Sequence, residues 1–311
     1  MTTLPQPSRT MVGQVYLPSF VIAGLSALLA GAGWQALASY GVLRAIHTGQ
    51  LHYAGVGVLG VVAVAFAVEQ IRPAERREVL ARGHLADLGY LVLYVALVLP
   101  LVTLLSAGLA DQLARYAPWL ELPRLASVPH GVFLVVGVIV IDASDWLVHW
   151  INHRINPFWR FHAVHHSQEE LSVLTTFRAH PLVHLSFALT VVPGFVLAAN
   201  GATPVELLTA YACLGALPHM NVPWTYGWFG RVLISPAYHR AHHRSVGRTD
   251  VNLGVVFPFW DQASGRAIFP RRNATPVVTG LSGRPIPVEQ DHARAQLPGL
   301  IVSQLVEPFL R

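Results

Sequence analysis

Long apolar runs constrain this chain more than any other feature. They lie near 16–38, 53–70, 87–108 and 129–150, with two more near 182–199 and 203–219. A helix needs about 20 predominantly apolar residues to cross the hydrocarbon core of a bilayer. Lipid offers the backbone no hydrogen-bond partner, so an isolated spanning segment has to be helical. The last two runs are joined by Asn200-Gly201-Ala202-Thr203-Pro204, a polar turn suited to a helical hairpin, although short apolar helices can also re-enter without crossing. The expected fold is all-α: a polytopic membrane bundle of about four to six helices with a cytoplasmic histidine-rich cap.

Composition agrees. Hydrophobic residues make up 53% of the 311-residue chain and charged residues only 12%, about half the charged fraction of a soluble domain. The net charge is +5, carried entirely by arginine because the sequence has no lysine. These arginines flank the apolar runs instead of forming a basic stripe, which argues for cytoplasmic loops and against a nucleic-acid surface. The single cysteine, Cys213, excludes an intrachain disulfide framework and a cysteine-based metal cluster. The first apolar segment lacks a convincing cleavage site and reads as a retained membrane helix.

Orientation follows from the arginines. The loop after the second run carries Arg72, Arg76, Arg77 and Arg82, the loop before it only Arg44, so the former is expected in the cytoplasm. Alternating crossings then place 151–181 and everything beyond about 220 on that side, together with most of the histidines. The whole chain, 1–311, reads as one membrane domain: membrane helices over 1–130, a histidine-bearing catalytic region over 131–265, and a proline-punctuated cytoplasmic tail over 266–311 with a short closing helix near 297–310. Asn273-Ala274-Thr275 matches a glycosylation acceptor that a cytoplasmic tail would not use.

Sixteen histidines are present, eleven of them between His149 and His243. Scattered ones such as His47, His52, His84, His130 and His292 read as structural residues. The others are ordered. Asp145, His149 and His153 recur every four residues at the end of the fourth run, which stacks them on one helical face. Asp145 is expected to accept a ring N–H from His149 and so fix that imidazole from the second shell. His162-Ala163-Val164-His165-His166 and His239-Arg240-Ala241-His242-His243 both have the form His-x-x-His-His, whose three rings share a face. Eight imidazoles exceed what one ion takes and suit a dinuclear site. Nitrogen donors favour iron, zinc, copper or nickel over magnesium or calcium, and redox-active iron would use open positions. His219, at the end of the sixth run, is a candidate ninth ligand. His180 is a further candidate, or a residue that orients a ligand, and His184 reads as an outer or core residue.

These motifs, with Trp159-Arg160-Phe161 before the second, Ser167 after it, the element Arg178 to Pro181 and Ser235-Pro236 before the third, resemble the fatty acid hydroxylase and sterol desaturase superfamily over about residues 68–265. The resemblance implies a membrane monooxygenase of lipid metabolism that uses dioxygen at a centre of two iron ions, with zinc as a possible substitute. It also implies an external electron donor (a b-type cytochrome, ferredoxin or reductase), since no haem, flavin or dinucleotide motif is evident. The metal ligands it implies are His149, His153, His162, His165, His166, His239, His242 and His243, with His180 or His219 in addition. The chain departs from the family's usual pattern at Leu253, where an aromatic is common, and at Gln262 and Ser264-Gly265 after Trp260-Asp261; neither departure touches a histidine motif.

The expected activity is hydroxylation or desaturation of a C–H bond in a lipid: a sterol or terpenoid, fatty acyl chain or alkyl lipid. Two other classes are open at this level. A zinc-dependent membrane hydrolase or non-redox metal protein would need a general base, for which Glu169-Glu170 is a weak substitute. A metal carrier would place its ligands at mid-bilayer, not at one surface.

Overall fold

The computed structural model describes residues 50–120, 128–187, 205–271 and 275–310. The run near 16–38, most of the run near 182–199, and the turn at 200–204 lie outside the described residues. Within them the chain is helical, without a strand; an isolated antiparallel bridge joins Arg244 to Thr279.

Helix α1 (Gln50–Ile71) stops where Pro73 follows, because the residue before a proline is pushed out of the α region. Helix α2 (Arg82–Leu93) runs through a π-turn at Tyr94–Val98 into α3 (Leu99–Tyr116). Pro100 explains the widened turn: it donates no N–H and its ring crowds the carbonyl one turn earlier. Helix α4 (His130–Arg154) has 25 residues, about 37 Å at 1.5 Å per residue. One extended residue, Ile155, separates it from α5 (Asn156–His166), and Pro157 is accommodated in the first turn of α5. The short α6 (Pro181–Phe187), α7 (Val205–Ala216), α8 (Pro236–His242) and α9 (Phe259–Ala263) follow, and α10 (Leu297–Leu310) closes the chain.

Two helical stretches, Arg82–Val102 and His130–Arg154, are long and apolar enough to cross a membrane, and only 22% and 28% of them is buried within the protein. Val92 and Val135, for example, are 68% and 61% exposed. A core helix of a soluble protein would be covered; these outward apolar faces are those of helices able to sit in lipid. Gly57–Ile71 in α1 is a shorter apolar stretch.

Inside, α1 packs on α7, and Val62 and Ala65 of α1 meet Val173, Phe177 and Ala216. α4 also packs on α7, through Val138, Ile141 and Leu207. The approach is close at Gly137, where a Cβ would lie 2.6 Å from Leu207 Cδ2. The C-terminal segment is part of the body: α10 lies along α2 and α5, and Glu289 and Gln304 are fully buried.

Candidate metal centre

The Ile155 corner folds the last two turns of α4 back against α5, bringing His149 and His153 to His162, His165 and His166. Helix α8, started by Pro236 and by the Ser235 hydroxyl accepting the Tyr238 N–H, supplies His239, His242 and the following His243. A short 3₁₀ turn after α7 supplies His219.

Nine histidines form two groups, His149, His153, His162, His166 and His242 in one and His165, His219, His239 and His243 in the other, with the donor atoms of each group within 4.8 Å of one another. The groups interlock. In α5 the four-residue pair His162 and His166 joins the first group while His165 turns to the second. In α8, His239 and the His243 that follows the helix join the second while His242 turns to the first. All nine rings are buried, none more than 8% exposed.

The nitrogen geometry fits cations. His149 Nε2 lies 3.0 Å from His162 Nε2, and the Nε2 atoms of His165, His219, His239 and His243 follow one another at 3.3, 3.0 and 3.2 Å. Two nitrogens held about 2.1 Å from one ion are about 3.0 Å apart at a right angle and about 3.4 Å apart in a tetrahedron. Backbone carbonyls fix several tautomers. His149, His165 and His242 each donate Nδ1–H, to the carbonyls of Leu253 (2.7 Å), Arg178 (2.9 Å) and Val251 (2.8 Å). A carbonyl only accepts, so in a neutral ring the Nε2 lone pair faces the group. Buried Nε2 atoms of His166 and His242 have no hydrogen-bond partner, as expected of donors that await an ion. Burial holds His162, His165, His166, His239, His242 and His243 well below the usual histidine range and His219 at about 4, so these rings are neutral donors at physiological pH.

Two expectations change. Asp145 does not serve His149, which has turned to Leu253; the Asp145 carboxylate accepts the Tyr211 hydroxyl at 2.6 Å. His180 lies outside both groups, with Nδ1 accepting the Leu182 N–H and Nε2 bonded to the Leu305 carbonyl, so both ring nitrogens are used elsewhere. Glu169 pairs with Arg284, and Glu170 accepts the Gly83 N–H; neither belongs to the histidine groups.

Residues that sequence reasoning missed hold the carbonyl-bearing loop. Asp142 of α4 accepts the Val256 and Phe257 N–H groups and the Trp260 indole. Asp261 accepts the Leu253 and Gly254 N–H groups, the Trp146 indole and the Tyr238 hydroxyl. Asn252, at φ 57, bridges Tyr238 and Ile268. An aspartate within an apolar run was the signal for Asp142, since a carboxylate at that depth needs donors. Asp261→Asn is expected to weaken metal binding 10–100-fold, as for other partners that orient ligands. Competitive metal titration against a chelator reads this, and unchanged affinity would remove Asp261 from that role.

The helices and the paired groups thus define a helical protein with two membrane-capable helices, built around a histidine-only candidate metal centre. Residues 134–266, which contain all nine of these histidines, match the family model described as fatty acid hydroxylase, so this part of the chain is similar to that family. An ornithine lipid hydroxylase from Rhizobium tropici is 30% identical over 185 residues, covering 59% of this chain and 52% of that protein. An alkylglycerol monooxygenase from Caenorhabditis elegans is 28% identical over 125 residues, covering 39% of this chain and 24% of that protein. The chain therefore spans about half or less of the length of these relatives. No solved structure matches it.

Proposed function

We propose that this chain is a multi-pass membrane monooxygenase that hydroxylates a C–H bond of a lipid, using two iron ions held on the cytoplasmic side. The observation that carries this reading is the pair of interlocked histidine groups at the end of a helix of spanning length. His149, His153, His162, His166 and His242 would hold one iron, and His165, His219, His239 and His243 the other. Bound iron would supply the redox chemistry with dioxygen that an unactivated C–H bond requires, with electrons from a separate donor protein.

The protein's own contribution is positional. Carbonyls of Val251, Leu253 and Arg178 retain the Nδ1 protons of His242, His149 and His165, which keeps each Nε2 free to ligate. Burial of the rings excludes water around the centre. The arginine-rich 72–82 segment supports the cytoplasmic placement. Hydroxylation is favoured over desaturation because both relatives are named for inserting oxygen, one as a hydroxylase and one as a monooxygenase.

The test is reconstitution of purified chain with iron, reductant, a donor protein and a lipid extract under isotopically labelled dioxygen. About two irons per chain and a lipid product carrying one labelled oxygen atom are expected. Product formed without dioxygen, or undiminished after complete iron removal, would overturn the reading.

A further inference from the structure

Helix α8 has a second working face. Opposite its histidines, Ala237, Arg240 and Ala241 recur at helical spacing, and with Arg244, two residues past the helix end, they wall a cavity of about 870 Å³, within the usual size range of small-molecule sites. Arg72 and Arg271 complete the charged lining, and among the described lining residues there is no aspartate or glutamate. Arg240 is 2% exposed; its terminal nitrogens reach Glu75 (3.0 Å) and Asn221 (2.7 Å), while its buried Nε has no partner. Alanines at 237 and 241 leave space beside it. Glu75, which also pairs with Arg77, meets the Arg240 guanidinium, so the concavity keeps an excess of positive charge that an anion would relieve.

The same wall says where that anion comes from. Trp224 and Tyr226 line the cavity, and the loop continues into Trp228 and Phe229, which are 76% and 50% exposed. Exposed aromatics of this kind anchor a protein at the headgroup level of a bilayer, and basic pockets at the ends of membrane helices take lipid headgroups. A site for a free anion needs no such loop. We propose that the Arg72, Arg240, Arg244 and Arg271 cavity binds the anionic headgroup of a membrane lipid. The proposal rests on the membrane reading and is independent of the metal chemistry.

The test is calorimetric titration of the full chain in neutral detergent with dioctanoyl phosphatidylglycerol, dioctanoyl phosphatidylcholine and inorganic phosphate. Phosphatidylglycerol is expected to bind once per chain, at least about tenfold more tightly than either of the others, and more weakly as salt rises. The double variant Arg244→Gln, Arg271→Gln should lose roughly tenfold or more in that affinity, the effect of two charge-assisted contacts, with metal content unchanged. Arg271→Gln alone, at an exposed position, should lose part of it and gives a reading should the double variant fail to fold. Absence of phosphatidylglycerol binding, equal affinity for inorganic phosphate, or variants that bind as the parent does would each overturn the proposal.

Discussion

His239→Ala is expected to abolish product formation and cut metal affinity by more than the roughly 10–100-fold lost with an outer partner, whereas His180→Ala keeps its metals. His239 Nε2 lies 3.0 Å from His219 Nε2 and 3.2 Å from His243 Nε2, at the middle of the second group. Its removal takes one of four donors and leaves a buried gap that no carboxylate can fill. His180 instead packs between Phe161 and Phe309, at centroid distances of 4.7 and 5.6 Å, and bonds the Leu305 carbonyl. Truncating it costs about 1–3 kcal/mol of stability from lost packing and an orphaned carbonyl. Metal analysis of the two purified variants separates the roles; a His180→Ala protein that emerges without metal would return His180 to the donor set.

Arg178→Ala should be the most destabilising single change outside the histidines, at about 3–5 kcal/mol. The guanidinium is fully buried and binds Asp87 of α2 at 3.1 Å, Glu289 of the C-terminal segment at 2.6 Å, Ser167 Oγ at 3.0 Å and the Val164 carbonyl at 3.2 Å. It also lies over the Tyr90 ring, 5.3 Å from its centroid. Alanine leaves two buried carboxylates without their shared cation. Lysine is not an adequate substitute, because a single ammonium cannot reproduce the planar fork. Thermal unfolding in detergent measures the loss. The effect should extend to metal binding, since the Arg178 carbonyl holds His165. A variant with parental unfolding temperature would show that the charges are met by other groups.

Spacing made much of the centre legible before any coordinates. Four-residue intervals on α4 and the His-x-x-His-His motifs require shared helical faces, and the apolar runs require helices. Spacing did not reveal the division of labour within each motif, which depends on α5 and α8 confronting each other across the site. The orienting carbonyls were invisible because every residue carries one. Leu253 illustrates this: it departs from the family's usual aromatic, yet what His149 uses is its backbone. The Asp145 reading failed for a related reason. Helical spacing brought His149 within reach, but Tyr211, 66 residues away, took the carboxylate. His180 had the right residue type and flank, while its destination was decided by α10, more than a hundred residues later. Prolines punctuate the tail, and proline content carries no information on whether Glu289 finds a buried arginine.

The crossed allegiance of the two short motif helices ties the occupancies of the two sites together. On the proposed reading, an ion seated in either site would immobilise both α5 and α8, and thereby set in place the rings its neighbour would use. The first ion would bear the ordering cost for the second, so cooperative loading is the expected behaviour of the proposed pair of sites.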